Sequence, residues 1–347
     1  MEPLRTLSVV FQEQAYDESE FSSLVARDLG TRHDTLPLGE SELLDGLPQA
    51  LQAMDQPTVD GINTFFISRL ARELGLKVCL SGLGGDEVFG GYESFRLVPQ
   101  LRRWNRALGP LPRFGRRGAA RVLKSFIPHS DKRAKFMEFL GEEKSSPQLY
   151  FLIRALFHEE AVGRLFAEPA LAPRLASRFH KRKESLASLL DPLGPEEQVS
   201  YLELTHYLVQ MLLRDTDVMS MAHGLEVRVP LIDHTLVELM FSVSSSHKWR
   251  GSTPKPLLVQ SVGGGLPARL IHRKKMGFTL PFESWMRGAL KNHVEEVLHT
   301  PVAPLTGLLS EPAVRQVWQD FLARRTSWSR PWALYVLKHW VQNNLTS

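Results

Sequence analysis

Cysteine is almost missing from this chain. One residue, Cys79, is present among 347. That excludes a disulfide framework and a cysteine-rich zinc site, and it favours a reducing compartment, the cytoplasm. Long apolar runs are missing too. None approaches the roughly 18 residues that a membrane span needs, so no membrane partner is expected. The opening residues Met1-Glu2-Pro3-Leu4-Arg5 lack the basic stretch and apolar core of a secretory signal. What remains is ordinary globular composition, with 43% hydrophobic and 23% charged residues.

The net charge of +4 is unevenly spread. Residues 101–135 hold eleven Lys and Arg against the single acid Asp131, which leaves the rest of the chain net acidic. Such a stretch can hold phosphate, nucleic acid or an acidic partner, or it can simply be a solvated helix face. Its aromatics are only Trp104, Phe114 and Phe126, a thin platform for stacking bases, so nucleic acid is disfavoured as a partner.

Apolar patterning predicts strand–helix–strand–helix alternation over the first hundred residues. Thr6–Phe11, His33–Leu38 and Lys77–Leu80 read as strands. Helices are expected after Asp17, with Glu20 completing its cap, from Ser41, and over Ile62–Leu74 before Gly75. This alternation implies a parallel α/β sheet. Beyond it, helices are expected over Glu138–Phe157, Pro195–Leu213, Leu236–Phe241, Phe282–Leu298, Ala313–Ala323 and Trp332–Asn343. The expected division is 1–125, an α/β part, and 126–347, a mainly helical remainder.

The strongest chemical signal follows the third strand, in Ser81-Gly82-Leu83-Gly84-Gly85-Asp86-Glu87-Val88-Phe89-Gly90-Gly91-Tyr92. Five glycines there can bring backbone N–H groups close to an anion, beyond the carboxyl end of a strand where open α/β sheets bind ligands. Asp86, and more weakly Glu87, can supply a carboxylate to Mg²⁺ beside phosphates. The alternative is a structural turn in which Asp86 caps a helix. The loop fits neither G-x-G-x-x-G, because Glu87 takes the third glycine position, nor G-x-x-x-x-G-K-[ST]; hydride transfer and a Walker-type site are disfavoured.

These twelve residues resemble the signature of the synthetase domain of glutamine-dependent asparagine synthetases. Two further stretches agree in order: Asp217-Val218-Met219-Ser220-Met221-Ala222-His223-Gly224-Leu225-Glu226-Val227-Arg228-Val229-Pro230-Leu231-Ile232-Asp233, and Lys275-Met276-Gly277-Phe278-Thr279-Leu280-Pro281. The resemblance implies a parallel sheet of the ATP-pyrophosphatase (adenine nucleotide α-hydrolase-like) type with a large helical C-terminal part. It implies ATP and Mg²⁺, and a carboxylate substrate, aspartate or a related acid, activated as an acyl-adenylate for attack by ammonia in asparagine biosynthesis. By resemblance, Val9 lies under the adenine, with Ser81, Gly82, Gly84 and Gly85 beside the nucleotide. Asp86 holds Mg²⁺, and Lys275 neutralises developing charge on the phosphates or on the adenylate.

Each role has a structural alternative. Val9 is core with only its backbone near a base, and Lys275 is a surface lysine beside Arg273 and Lys274. Arg214, Asp215 and Asp217, and likewise Glu226 and Arg228, read as buried ion pairs that brace a site. Tyr92 reads as packing and Cys79 as core. Three departures from the family bear on function. The glutaminase half, with its N-terminal cysteine nucleophile, is not in this chain, so ammonia is expected from elsewhere. The family's Ser-Gly-Gly-x-Asp-Ser pyrophosphate loop precedes the strand placed at 6–11, and nothing before Thr6 supplies it, so the synthetase part is expected to be incomplete. Leu83 stands where relatives commonly carry an acid, which leaves the acceptor acid open. Val218 stands where many relatives carry Arg. The competing readings are a non-catalytic nucleotide- or partner-binding remnant and a tRNA-modifying relative; a homodimer is left open.

Overall fold

A computed structural model of the chain describes residues 3–11, 18–108, 131–141, 144–249, 253–262, 266–272 and 280–346. By contact density the chain divides into two units. The first comprises Met1–Gly91 and His206–His293, and the second Tyr92–Thr205 and Val294–Ser347. The boundary expected near residue 125 and most of the basic stretch lie outside the described residues.

In the first unit, β1 (Arg5–Phe11) pairs in parallel with β2 (Arg32–Leu38), and α1 (Ser19–Asp28) connects them. The β-branched run in β1 suits a pleated, half-buried surface. Next come α2 (Glu40–Gln52) and α3 (Ile62–Glu73), which ends at Gly75 with φ of 82°. These two helices meet closely at Gly46. A Cβ there would lie 2.6 Å from the Phe66 ring, so only glycine admits the aromatic. The Asp17 cap lies outside the described residues; α1 starts at Ser19, with Glu18 at its N-cap and no side-chain cap.

β3 (Val78–Leu80) does not join β1. It pairs in parallel with β4 (Glu226–Arg228), far along the chain. The described residues therefore hold two two-stranded parallel sheets, where the sequence suggested one local sheet. Alternation of strand and helix says that strands are parallel, but not which of them meet. The strand β4 went unread because three residues are too short to show a period. α3 packs on β1 and on the helix Arg214–Met221, which in turn packs on β4. Phe65, Phe66, Leu43, Leu47, Met219 and Leu225 form the buried centre here.

Among its described residues the second unit is helical apart from a single bridge between Phe166 and Leu309. α5 (Ser94–Ala107) packs against Ser146–Arg154 and Pro195–Leu202, over buried Val98, Leu149, Tyr150, Val199 and Leu202. Trp318, Phe321, Trp332 and Tyr335 form a second apolar cluster. The segment expected as one helix, Pro195–Leu213, passes from α-helix into π-helix at Glu203. That expected over Glu138–Phe157 is two helices, because Ser145 caps Ser146–Arg154 with Gln148 reciprocating. The long helix Leu171–Leu190 was not expected. Leu190 is its one fully buried residue, and the apolar face of Leu171, Leu175, Leu186 and Ala187 is half-covered. Among the described residues, no helix is long and apolar enough to cross a membrane.

Candidate functional site

The glycine-rich loop sits at the carboxyl end of β3 in the first unit. Its entry is fixed by backbone pairing: Ser81 N donates to Arg228 O at 2.9 Å, which extends the ladder by one residue. The Ser81 hydroxyl accepts from Leu83 N at 3.3 Å. α4 (Gly85–Phe89) is a single short turn, flanked by Gly84 at φ 88° and Gly90 at φ 81°. Both are left-handed conformations that side chains with a Cβ resist.

Four of the five glycines are glycine because protein approaches them. A Cβ on Gly84 would lie 2.0 Å from Ile232 Cγ2, and one on Gly85 would lie 2.9 Å from Leu231 Cδ1. One on Gly90 would lie 2.2 Å from Trp249 Nε1, and one on Gly91 1.6 Å from Asp86 Oδ1. Gly82 differs, with nothing within 4 Å of its Cβ position. The first and second signatures are thus one substructure. β4 pairs with β3, and the turn Pro230–Ile232 seats on Gly84 and Gly85. Gly82 is left facing open space.

Asp86 is held twice. Its carbonyl accepts from Gly90 N at 3.1 Å and Gly91 N at 2.8 Å. Its Oδ1 meets Lys255 Nζ at 2.7 Å. Oδ1 is itself inaccessible to solvent, so a cation arriving from water can reach only Oδ2. Glu87 is 1% exposed, with its carboxylate turned inward. Lys255 went unnoticed in the sequence, since it lies outside all three signatures; the signal available was its place between Pro254 and Pro256. Lys275 lies outside the described residues.

Val9 is buried in β1, opposite Leu36 of β2. Arg32 N donates to Leu4 O at 2.9 Å. The alternation of a parallel ladder then turns the backbone groups of Thr6, Ser8 and Val10 toward β2, and those of Leu7 and Val9 toward the opposite edge. Thr6, Ser8, Ser22 and Thr31 form a polar chain around His33, whose ring nitrogens lie 2.9 Å from Thr6 Oγ1 and 3.0 Å from Ser8 Oγ. Thr6, Ser22, Thr31 and His33 border a mainly apolar cavity of about 280 Å³ under α1.

The brace expected around residue 215 exists in part. Arg214 contacts Asp215 at 2.7 Å, and Thr58 Oγ1 donates to Asp215 Oδ2 at 2.5 Å. Asp217 is exposed and takes no part. Burial pushes the Asp60 carboxyl up to about 6, and burial also raises Asp215. Glu226 and Arg228 do form an ion pair at 2.7 Å, but an exposed one, because only one face of the short β3–β4 sheet is covered. Cys79 on the other face is half-buried and not core. Tyr92 packs as expected, with the Arg154 guanidinium 4.4 Å from its ring centroid.

Asp86 can hold a cation, since it already receives one in the Lys255 ammonium. Among the described residues no group of three or more His, Cys, Asp or Glu could hold a metal ion. A hard divalent cation that keeps its waters and takes one carboxylate plus ligand phosphates fits this donor set; a resident many-ligand centre does not.

A family profile described as asparagine synthase matches residues 1–342. Asparagine synthetase [glutamine-hydrolyzing] 1 of Bacillus subtilis is 24% identical over 99% of this chain and 52% of its own length. Asparagine synthetase [glutamine-hydrolyzing] 3 of the same organism is 24% identical over 86% of this chain and 45% of its own length. Asparagine synthetase [glutamine-hydrolyzing] 3 of Arabidopsis thaliana is 34% identical over a shorter stretch, 23% of this chain and 15% of its own length. The chain spans about half the length of the Bacillus relatives it matches. With a profile match over nearly all its residues, the chain belongs to the asparagine synthase family.

Proposed function

We propose that the first unit binds ATP with Mg²⁺ and activates a carboxylic acid, aspartate or a close relative, for amide formation with ammonia. The observation that carries this reading is the joining of the two signatures. β3–β4 pairing and the seat of Ile232 on Gly84 hold Gly82 open and Asp86 half-exposed at the carboxyl end of parallel strands, where α/β sheets take nucleotides. The sheet is of the ATP-pyrophosphatase type in this reading. The Val9 backbone, on the edge of β1 away from β2, meets the adenine. Ser81, Gly82, Gly84 and Gly85 lie along the nucleotide, and Lys275 approaches the phosphates.

In the first step a carboxylate oxygen attacks the α-phosphorus, the bond to the bridging oxygen breaks, and pyrophosphate leaves with the electron pair. In the second, ammonia attacks the acyl carbon, the acyl–phosphate bond breaks, AMP leaves, and the nitrogen gives up a proton. Mg²⁺ when bound neutralises charge on the departing pyrophosphate. Asp86 is the residue that would hold it. Leu83 can neither exchange a proton nor bind metal, so the acceptor acid is oriented by other groups.

The test is calorimetric titration of the chain with ATP and Mg²⁺, followed by pyrophosphate release with aspartate and free ammonia, which needs no glutamine hydrolysis. Binding by the wild type, weakened at least tenfold in Asp86→Asn, supports the proposal. Equal binding by both removes Asp86 from the site. Salt-sensitive binding of tRNA in place of ATP would favour the tRNA-modifying reading.

A further inference from the structure

We propose that Lys255, which belongs to none of the three signatures, is a phosphate-holding cation of this site and fixes the Asp86 carboxylate in place. The proposal rests on the nucleotide reading above and names a residue that the reading did not contain. Lys255 Nζ lies 2.7 Å from Asp86 Oδ1, and that oxygen is shielded from solvent. The lysine side chain is itself 30% exposed. An ammonium has three donors, and among the described residues Asp86 is the one partner it meets. One face of the group therefore locks a carboxylate while the other two donors remain for an anion.

The backbone is built for this placement. Lys255 has φ of 48°, one of two non-glycine residues with positive φ among those described. Pro254 and Pro256 flank it, and the residue before a proline is steered away from the helical well. Such a conformation is uncommon and persists where the surroundings over-determine it. Gly91 completes the arrangement. A Cβ there would lie 2.7 Å from Lys255 Cε as well as 1.6 Å from Asp86 Oδ1, so the last glycine of the first signature makes room for the pair. The next residues, Pro256–Val262, form a helix, with Val259 N donating to Lys255 O at 3.0 Å.

A half-exposed lysine–carboxylate pair whose only task is stability contributes little. A pair with one shielded oxygen, one accessible oxygen and spare ammonium donors matches an incoming magnesium–phosphate ion pair. The cation goes to Oδ2, and a phosphate oxygen goes to Nζ. The two charges of the ligand then meet the two charges of the protein in register.

The experiment titrates the full chain and its Lys255→Met, Lys255→Arg and Asp86→Asn variants with three probes: adenosine, inorganic pyrophosphate with Mg²⁺, and ATP with Mg²⁺. Thermal unfolding is followed alongside. Lys255→Met is expected to weaken ATP and pyrophosphate at least about tenfold, as loss of a charge-assisted bond does, and to leave adenosine unchanged. Lys255→Arg should recover most of the loss. Undiminished pyrophosphate binding in Lys255→Met, or adenosine lost in the same proportion as ATP, overturns the proposal, since the lysine then acts through the fold alone. If Asp86→Asn weakens ATP while Lys255→Met does not, the lysine falls and the nucleotide reading stands. If the wild type takes neither ATP nor pyrophosphate, both fall.

Discussion

Gly82 and Gly84 stand two residues apart under opposite constraints. Gly84 needs a positive φ and is pressed by Ile232, whereas Gly82 meets nothing. Gly84→Ala should therefore destabilise the chain by about 2–4 kcal/mol, from left-handed strain and overpacking, visible as a lowered denaturation midpoint. Gly82→Ala should leave stability within about 1 kcal/mol, since its backbone needs no positive φ, yet weaken ATP binding because its open face is where a ligand would lie. If instead Gly82→Ala binds ATP like the wild type, that face is not the nucleotide's. A third residue, Asp60, reports through pH. Burial lifts its carboxyl from the ordinary 3.8 to about 6. The folded state thus holds the proton more tightly than the unfolded chain. Stability is highest in the acid part of this window, falls as pH rises from about 4 to 6, and stays reduced above. The span of about 2 units corresponds to at most about 3 kcal/mol. Asp60→Asn should raise stability at pH 7–8 and flatten that slope in urea unfolding between pH 4 and 7. Asp215, raised in the same direction, keeps part of the slope in place.

At the scale of elements, the junction at Glu203 decides how the second unit holds together. This residue is fully buried where α-helix gives way to π-helix. Its carboxylate accepts from Ser94 Oγ, from Tyr150 OH at 3.1 Å, and from Arg154 Nε at 3.1 Å and Nη2 at 2.7 Å. Two helices, α5 and Ser146–Arg154, are thereby tied to the one that carries the carboxylate. Glu203→Ala strands the Arg154 charge and should cost about 3–5 kcal/mol in chemical denaturation. Combined with Arg154→Ala, the loss should be well below the sum of the two single losses, the mark of a shared network. Nothing in the sequence flagged Glu203, because a single acid inside an apolar helical run looks like an interruption. Other elements were legible to differing degrees. Thr6–Phe11 and His33–Leu38 announced themselves as β-branched or alternating runs. The break at Ser145-Ser146-Pro147-Gln148 was written in capping residues, yet apolar spacing on both sides masked it. Lys255 was invisible as a site residue because its partner Asp86 lies far away in sequence, and only folding brings the two charges together.

Both units are discontinuous in sequence. The first unit is closed by His206–His293 and the second by Val294–Ser347, so each unit is assembled from two separated lengths of chain. The first 91 residues supply β3 but not its partner β4, and α3 but not the helix Arg214–Met221 against which it packs. Left alone, they would expose Phe65, Phe66 and the uncharged edge of Val78–Leu80, a template for aggregation. The second unit is cut in the same way, since Phe166 bridges Leu309, Ser310 N donates to Leu165 O at 2.8 Å, and Arg330 Nε donates to Leu156 O at 2.5 Å, each across its two lengths. The local sequence signals describe pieces well and assembly poorly, and folding must wait for contacts between distant segments, which cost loop-closure entropy before they repay it. A chain divided between Thr205 and His206 puts half of each unit in each fragment. Fragments 1–205 and 206–347, produced separately, should show no cooperative thermal transition and should aggregate. Produced together, they should regain a cooperative transition, since each supplies the missing half of both units. Cooperative unfolding of residues 1–91 alone would mean that β3 and α3 do not depend on β4 and Arg214–Met221. The joining of the two signatures, on which the nucleotide site rests, would then be dispensable to the fold that carries it.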